Sequence, residues 1–145
     1  MATNELPTTL ELQIVTPDRN IIHDQVDEVE IPGVGGYFGV LPGHAPLLAA
    51  LTAGELWFRK GQEKTFLSVA FGFAEVLPER VTILARLAER AEEIDVARAE
   101  AARKRAEDRI AHPESDIDFT RNAVSLAKAL TRLQVSSRAG SRTVR

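Results

Sequence analysis

Glycine and proline are unevenly distributed along this 145-residue chain, and their distribution constrains the fold more than any other feature. The first 83 residues contain eight of the nine glycines and six of the seven prolines, whereas residues 84–112 contain neither. Glycine permits positive φ and proline fixes φ, so a region rich in both turns frequently, while a stretch without them permits continuous helix. We therefore expect a turn-rich domain over residues 1–90, a helical segment over residues 91–135 and a basic, disordered tail over residues 136–145.

Short alternating runs in the first region are typical of β-strands. Leu10, Leu12 and Ile14 alternate with Glu11 and Gln13, and a turn sequence follows. Further strand-like runs cover residues 25–31, 55–59, 65–69, 72–77 and 80–84, with turn sequences at residues 52–54, 60–62 and 77–79. Strands at this spacing, with no helix between them, predict an antiparallel β-sandwich or barrel.

Two helices are predicted in the second region. Strong helix formers run from Ile94 and Asp95 to Ile110, and Pro113 ends the run because proline disfavours helix at the preceding residue. The predicted apolar seam of the first helix consists of Ala99, Ala102, Ala106 and Ile110. The predicted seam of the second consists of Phe119, Ala123, Leu126, Leu130 and Leu133, and its candidate N-caps are Ser115, Asp116 and Asp118.

The alanine-rich seam limits the apolar area that this helical hairpin buries. Small side chains contribute less than leucines would at roughly 25 cal/mol per Å² of buried apolar surface, and so short a hairpin has no core of its own. Two interpretations remain open. The hairpin is either an ordinary stable element packed on the sheet or a marginal one that exchanges one docking surface for another.

The densest cluster of glycine and proline covers residues 29–48. A phosphate-binding loop would need Lys-Ser or Lys-Thr after the glycines, and a Rossmann fingerprint would need a helix where Pro42 and Pro46 stand. The glycines therefore shape a turn-rich surface. Within it, Tyr37 is either a core aromatic or an exposed tip for a partner, and His44 is either a turn histidine bonded to a nearby carbonyl or a partner contact.

Composition and spacing argue against catalysis and metal binding. The chain is 44% hydrophobic and 27% charged with a net charge of −3, as expected of a soluble globular protein. It has no cysteine, no apolar run long enough to span a bilayer and no signal-peptide pattern. The three histidines stand apart from one another, and no nucleophile elbow occurs. We expect neither an enzyme nor a metal site, and no required cofactor.

Several motifs, in this order, resemble the epsilon subunits of bacterial F-type ATP synthases. They are Ile31-Pro-Gly, the segment Gly36-Tyr-Phe-Gly-Val-Leu-Pro-Gly-His-Ala-Pro-Leu-Leu48, the strand pair that contains Gly72, and Ile94-Asp-Val-Ala-Arg-Ala99. The resemblance implies an N-terminal sandwich of about ten strands followed by a C-terminal helical hairpin. It also implies a non-catalytic rotor subunit at the foot of the central stalk, peripheral to the cytoplasmic face of the bacterial membrane.

The resemblance further implies partner-binding residues. Such subunits join the gamma subunit to the ring of c subunits, with the position of Tyr37 close to the c-ring and the stretch around His44 close to gamma. Tyr37 stands where some relatives have an acidic residue. In this family the hairpin impedes ATP hydrolysis when it is raised. The raised position would bring Arg121, Lys128 and Arg132 towards the alpha and beta subunits of the catalytic head.

A conditional nucleotide site is implied as well, because some relatives bind ATP in the folded hairpin. The matching positions are Glu89, Ile94, Asp95, Arg98, Ala99, Arg105, Lys128 and Arg132. Lys128 replaces an arginine of the tight binders, and a lysine lacks the planar fork of arginine, so only weak ATP binding is expected. An alternative role for Asp95 is helix capping together with pairing to Arg98.

A rival interpretation from a different functional class is a free-standing β-sandwich binding module with a helical oligomerisation tail. That module would require an aromatic-lined groove on the sheet, for which Trp57 and Tyr37 are the polar-edged aromatic residues available.

Overall fold

The computed structural model describes residues 5–112 and 116–140, and it contains eight strands followed by two helices. The strands are β1 (Leu10–Val15), β2 (Asn20–Val26), β3 (Glu28–Gly33), β4 (Gly36–Val40), β5 (Leu47–Leu51), β6 (Gly54–Lys60), β7 (Glu63–Val76) and β8 (Arg80–Arg90). A short 3-10 helix, Ala91–Glu93, leads to α1 (Val96–Ala111) and α2 (Asp116–Ser136). The predicted fold class, a β-sandwich followed by a helical hairpin, is confirmed.

The strands form one hydrogen-bonded sheet that folds over on itself. Its order is β2-β1-β8-β7-β5-β3-β4, and β6 pairs with both β3 and β7. Along β7 the partner changes from β6, which pairs up to Val69, to β5, which pairs from Gly72 onward. The two halves of β7 therefore have different neighbours, and the sheet closes around a single core.

The alternation predicted from the sequence builds that core. Leu10, Leu12 and Ile14 of β1 are fully buried, as are Val81 and Ile83 of the neighbouring strand β8. Nineteen buried apolar residues between positions 10 and 88 form one cluster. At roughly 25 cal/mol per Å² of buried apolar surface, this cluster is the main source of stability for the first region.

Two features of the sheet differ from the sequence-based expectation. The separate runs predicted at residues 65–69 and 72–77 are parts of one 14-residue strand, β7, which bends where Phe71 and Gly72 both have positive φ. The described residues form eight strands where about ten were expected, and this merger accounts for one strand of the difference. The pair β1–β8 is parallel, whereas antiparallel pairing was expected throughout. Turn sequences specify hairpins between neighbouring strands, so they carry no signal for strands that meet from distant parts of the chain.

The helical hairpin contacts the sheet through α2, which lies against β6, β7 and the short 3-10 helix. Asp95 is the N-cap of α1, and its Oδ1 accepts a hydrogen bond of 3.0 Å from the backbone N–H of Arg98. The predicted capping role of Asp95 is thus confirmed. No ion pair between the side chains of Asp95 and Arg98 occurs in the described structure. Ser115, one candidate cap of α2, lies outside the described residues.

The seam between the helices matches the prediction in α1 and departs from it in α2. Ala99 and Ala106 are buried, with Ala102 and Ile110 half-buried. In α2, however, the buried positions are Asn122, Ala129 and Val135, and Val135 packs with Ala91 and Ile94 at the base of the hairpin. Two of the predicted seam residues, Phe119 and Leu130, are 48% and 47% exposed, so their assignment was wrong. The small side chains of Asn122 and Ala129 allow closer approach to the alanines of α1 than leucines would.

No helix within residues 5–112 and 116–140 combines the length and apolar composition that crossing a membrane requires.

Candidate functional site: hairpin clefts and exposed faces of the sheet

The end of α2 is fixed to the sheet by a small apolar cluster and two ion pairs. Fully buried Val135 packs with Ala91, Ile94 and Phe66 in a cluster separate from the main core. We call the two ion pairs the hairpin clasp: they are Arg132 with Glu89, and Arg138 with Glu55. The predicted tail over residues 136–145 begins within this region, since Ser136 closes α2 and Arg138 takes part in the clasp. Residues 141–145 lie outside the described residues.

A cleft of about 520 Å³ lies between β8 and the two helices, and we call it the hairpin–sheet cleft. Its charged lining residues are Glu89, Arg98, Arg105, Arg109, Lys128 and Arg132. The remainder of its lining is small or polar apart from Leu87. None of the described residues that line it is aromatic.

Five of the eight predicted nucleotide residues line this cleft: Glu89, Arg98, Arg105, Lys128 and Arg132. The other three lie beside it. Ile94 belongs to the small apolar cluster, Asp95 caps α1, and Ala99 is completely buried between the helices. The structure therefore brings the charged members together and gives the other three packing or capping positions.

The cleft is strongly cationic. Glu89 is already bound by Arg132 through two hydrogen bonds, Nε to Oε1 at 2.8 Å and a second guanidinium N–H to Oε2 at 3.2 Å. Among the described residues, no ion pair engages Arg98, Arg105, Arg109 or Lys128. Four positive charges therefore face a cavity whose carboxylate is already paired, an arrangement that attracts anions with several charges.

Arg103 of α1, which does not line the cleft, provides a contrast. It binds Glu100 and also Glu107, the latter at 2.9 Å. The hydrogen bond from Arg103 holds the pKa of the Glu100 carboxyl below its usual range. The helix thus pairs Arg103, which lies outside the cleft, and leaves the arginines that line the cleft without acidic partners among the described residues.

Residue Arg121, predicted to bind a partner, lies outside the hairpin–sheet cleft. It is exposed on α2 and lines a second cleft of about 330 Å³ with Arg109, His112, Asp118 and Asn122. We call this the turn cleft, since it lies near the connection between α1 and α2. In the described conformation, Lys128 and Arg132 face one cleft and Arg121 faces the other.

Tyr37 projects from the β3–β4 hairpin and is 57% exposed. Its hydroxyl accepts a hydrogen bond of 3.2 Å from the backbone N–H of Glu55. Gly54 makes this contact possible, because a Cβ at that position would lie 2.7 Å from the Tyr37 hydroxyl and 2.5 Å from Pro32. With Val34 71% exposed at the same tip, the interpretation of Tyr37 as part of an exposed tip agrees with the structure.

His44 lies in the turn between β4 and β5. Its Nδ1 is 2.6 Å from the carbonyl oxygen of Ala45, and its backbone N–H donates to the carbonyl of Leu41. The interpretation of His44 as a turn histidine bonded to a nearby carbonyl is therefore confirmed. The ring is only half-buried, so this role leaves part of it accessible.

An exposed apolar row crosses the outer face of the sheet, and sequence reasoning missed it. In register, Ala50 of β5 pairs with Phe73 of β7, Phe73 pairs with Leu84 of β8, and Leu84 pairs with Val15 of β1. Phe73 and Leu84 are both 55% exposed, and nearby Leu48 is 70% exposed. The signal was present: Phe73 and Leu84 are out of phase with the buried positions on each side of them, where a half-buried strand normally carries polar residues.

Comparison with known proteins matches nearly all of the described chain. Residues 9–91 match the family model described as ATP synthase, Delta/Epsilon chain, beta-sandwich domain. Residues 92–137 match its companion, ATP synthase, Delta/Epsilon chain, long alpha-helix domain. The chain belongs to the ATP synthase delta/epsilon chain family.

Two curated relatives show how close the similarity to other members of the delta/epsilon family is. The ATP synthase epsilon chain of Syntrophobacter fumaroxidans is 48% identical over 129 residues, which cover 89% of this chain and 96% of the relative. The epsilon chain of Koribacter versatilis is 55% identical over 102 residues, covering 70% of this chain and 72% of the relative.

Solved structures with the same fold belong to ATP synthases. A chain in the Euglena gracilis mitochondrial ATP synthase, OSCP/F1/c-ring in rotational state 1, superposes with a TM-score of 0.79 at 22% identity and covers 97% of this chain and 86% of its own length. A chain of the Tetrahymena thermophila central stalk/c-ring structure gives a TM-score of 0.56 at 14% identity, covering 90% of this chain and 95% of its own. At these identities the likeness shows the fold.

Asn122 is the residue of this delta/epsilon chain that sequence reasoning overlooked most clearly. It is 6% exposed, and the described residues offer its side chain no hydrogen-bond partner, yet it lines both the hairpin–sheet cleft and the turn cleft. An asparagine within an alanine-rich helix contact is visible in the sequence. Its position facing two cavities is a product of the packing of α1 against α2.

Proposed function

We propose that this chain is a non-catalytic rotor subunit of the central stalk of an F-type ATP synthase. In this role it links the gamma subunit to the c-ring, helps to couple proton flow to ATP synthesis, and restrains ATP hydrolysis through its C-terminal helices. Membership of the delta/epsilon family supports the assignment. The subunit would be held peripherally at the cytoplasmic face of the bacterial membrane through its contacts in the complex.

The observation that carries this proposal is the exposed apolar row of Ala50, Phe73, Leu84 and Val15. The row lies in register across four strands, and its two large, exposed side chains, Phe73 and Leu84, are neighbours within it, so it offers a continuous docking surface of a kind that isolated exposed residues do not provide. We assign the row to the gamma subunit. Each large side chain buried there contributes about 1.5–3 kcal/mol as an upper bound, which favours a stable interface.

The experiment places a charge within the row. Phe73→Glu and Leu84→Glu should each weaken binding of the chain to purified gamma subunit by about 2 kcal/mol or more, roughly thirtyfold, because a carboxylate would be desolvated in the interface. Gln62→Glu adds the same charge at the exposed β6–β7 turn and should leave binding unchanged. Equal affinities for the three variants, measured by calorimetry, would remove the row from the gamma interface.

The remaining faces are assigned to the other partners. We place the tip that contains Tyr37 against the c-ring and the turn that contains His44 against gamma. The tip projects from the sheet with an aromatic side chain exposed, which supports a packing contact there. In a raised hairpin, Arg121, Lys128 and Arg132 would face the alpha and beta subunits of the catalytic head.

The domain division follows the same roles. We propose that residues 1–90 form the stalk-docking domain and residues 91–135 the regulatory hairpin, with residues 136–145 as its basic tail. The separate apolar clusters of the sheet and of the hairpin base support this division.

A second candidate function is weak ATP binding in the hairpin–sheet cleft. The observation that favours it is the convergence of Arg98, Arg105 and Lys128 on a cavity of about 520 Å³, without acidic partners among the described residues. Titration of ATP into the isolated chain should give saturable binding in the millimolar range, and Arg98→Gln should weaken it. Absence of a saturable heat or resonance shift at millimolar ATP would remove the nucleotide site.

The rival binding module is less well supported. Such a module would bind its ligand in an aromatic-lined groove, whereas the hairpin–sheet cleft is lined by charged, polar and aliphatic residues. Trp57 is covered by the ammonium group of Lys64, 3.9 Å from the ring centroid. Co-purification distinguishes the two proposals, because a rotor subunit is isolated with gamma, alpha and beta subunits.

A further inference from the structure

Asn122 lies where the two clefts of the hairpin meet. More than nine-tenths of its surface is buried, and the described part of the chain gives its amide no hydrogen-bond partner. No buried side-chain nitrogen or oxygen atom of the described residues lacks a hydrogen-bond partner, so the Asn122 amide, which has none, keeps its solvent contact and can meet water or a ligand there. Because Asn122 lines both cavities, its amide is available to a ligand that occupies either of them or bridges the two.

The turn cleft carries its own positive charge. Arg109 and Arg121 line it from opposite helices, and neither has an ion pair among the described residues. His112 adds an imidazole whose Nδ1 is 3.3 Å from the carbonyl oxygen of Asp108, which directs Nε2 away from that carbonyl. Asp118 also lines the cleft, but it already makes an interaction of its own.

Arg109 and Asn122 are shared by the two clefts, so the cationic surface is continuous from one to the other. On α1, Arg98, Arg105 and Arg109 lie at helical spacings of seven and four residues, which places them along one face. At 1.5 Å per residue, this row of guanidinium groups extends about 16 Å along the helix. Its length and repeated charges match a linear anion better than a compact one.

We propose that the turn cleft is a second phosphate subsite and that the two clefts together bind a linear polyphosphate chain. The inner phosphates lie against Arg98, Arg105 and Lys128. The outer phosphate reaches Arg109 and Arg121 and accepts a hydrogen bond from the Asn122 amide. Guanidinium groups suit this ligand because their fixed fork binds phosphate oxygens in pairs. The outer subsite is independent of any contact with adenine.

The test compares two probes in the full chain at about 150 mM salt, where screening reduces non-specific attraction. Tripolyphosphate should bind about tenfold more tightly than pyrophosphate and should shift the side-chain amide resonances of Asn122, whereas pyrophosphate should not. Arg121→Gln alters an exposed residue and should remove most of this preference while leaving the pyrophosphate affinity within about twofold. Asn122→Leu should do the same if its fold is intact.

Two controls separate the subsite from general charge effects and from the nucleotide proposal. Lys104→Gln removes a positive charge from an exposed position of α1 outside both clefts and should change neither affinity. Arg98→Gln should weaken both probes equally. An unchanged preference in Arg121→Gln, or an equal loss in Lys104→Gln, overturns the outer subsite. If ATP fails to bind while the chain still binds tripolyphosphate more tightly than pyrophosphate, only the nucleotide proposal is removed.

Discussion

At the scale of single residues, the bend of β7 depends on a glycine that no other residue can replace without strain. Gly72 has φ of 114°, and a Cβ added to it would lie 1.9 Å from the carbonyl oxygen of Leu84 on β8. The preceding residue, Phe71, also has positive φ. The backbone of β8 approaches this position so closely that only glycine fits, at the point where β7 changes its partner from β6 to β5.

Gly72→Ala should lower the free energy of unfolding of the sandwich by about 3 kcal/mol, because a backbone clash adds to an unfavourable φ. Urea unfolding followed by tryptophan fluorescence measures this change. Gly35→Ala is the matched control, since a Cβ there meets no atom within 4 Å. A loss below about 1 kcal/mol for Gly72→Ala would contradict the proposed close approach.

At the scale of elements, the docked position of α2 depends on two carboxylates of the sheet, of which Glu55 is buried and Glu89 is partly exposed. Glu55 and Glu89 lie in one row across the sheet, because each pairs in register with Ser68 of β7. Each carboxylate meets one arginine from the end of α2. The Glu55 side chain is only 10% exposed, and the guanidinium of Arg138 also lies 5.1 Å from the ring centroid of Phe66. The clasp therefore orients the end of α2 on the sheet, which the small apolar contact of Val135 alone would not do.

Arg138→Gln should increase local opening of α2 about tenfold, measured by hydrogen exchange of its backbone amides. Arg138 is 45% exposed, so screening limits what the ion pair itself contributes. The larger effect comes from leaving the buried Glu55 carboxylate without a cation. The double variant Glu55→Gln/Arg138→Gln removes both charges and should restore slow exchange to within about threefold. Equal exchange in the single and double variants would contradict this account.

The same hydrogen-exchange measurement also addresses the other interpretation, in which the hairpin is an ordinary stable element packed on the sheet. The α1–α2 contact is made largely of alanines, as the sequence indicates, and the half-exposed Phe119 and Leu130 contribute less to it than expected. The sequence pattern gave the correct helices and an α2 seam rotated by about one residue. Periodicity identifies an apolar stripe, whereas the closeness of helix approach selects which stripe is buried.

At the scale of the whole molecule, the sheet and the hairpin have separate apolar clusters. The main core contains residues from position 10 to position 88, and the cluster at the hairpin base contains Ala91, Ile94, Val135 and the partly buried Phe66. Removal of the helices therefore leaves the core of the sandwich complete. This separation allows one part to remain docked in a rotor while the other changes position.

Deletion of residues 94–145 should leave assembly with gamma intact and raise ATP hydrolysis by the reconstituted complex, if the hairpin is inhibitory. The expected increase is severalfold, because a small free-energy difference between hairpin positions governs the inhibited fraction. Steady-state hydrolysis by complexes with full-length and truncated chains measures it. Unchanged hydrolysis with normal assembly would count against an inhibitory hairpin, and lost assembly would contradict the separate-core interpretation.

The sequence alone determined the two-part architecture, because glycine, proline and apolar periodicity act locally and each is visible within a few residues. It also offered helix capping by Asp95 and a carbonyl-bonded turn for His44 as alternatives, and the structure shows both, which depend on near neighbours. Only the tertiary structure decided the parallel pairing of β1 with β8, the hairpin clasp, and the meeting of Arg109 and Asn122 between two clefts. These features join residues far apart in the chain, and their distances follow from packing, which no local pattern encodes.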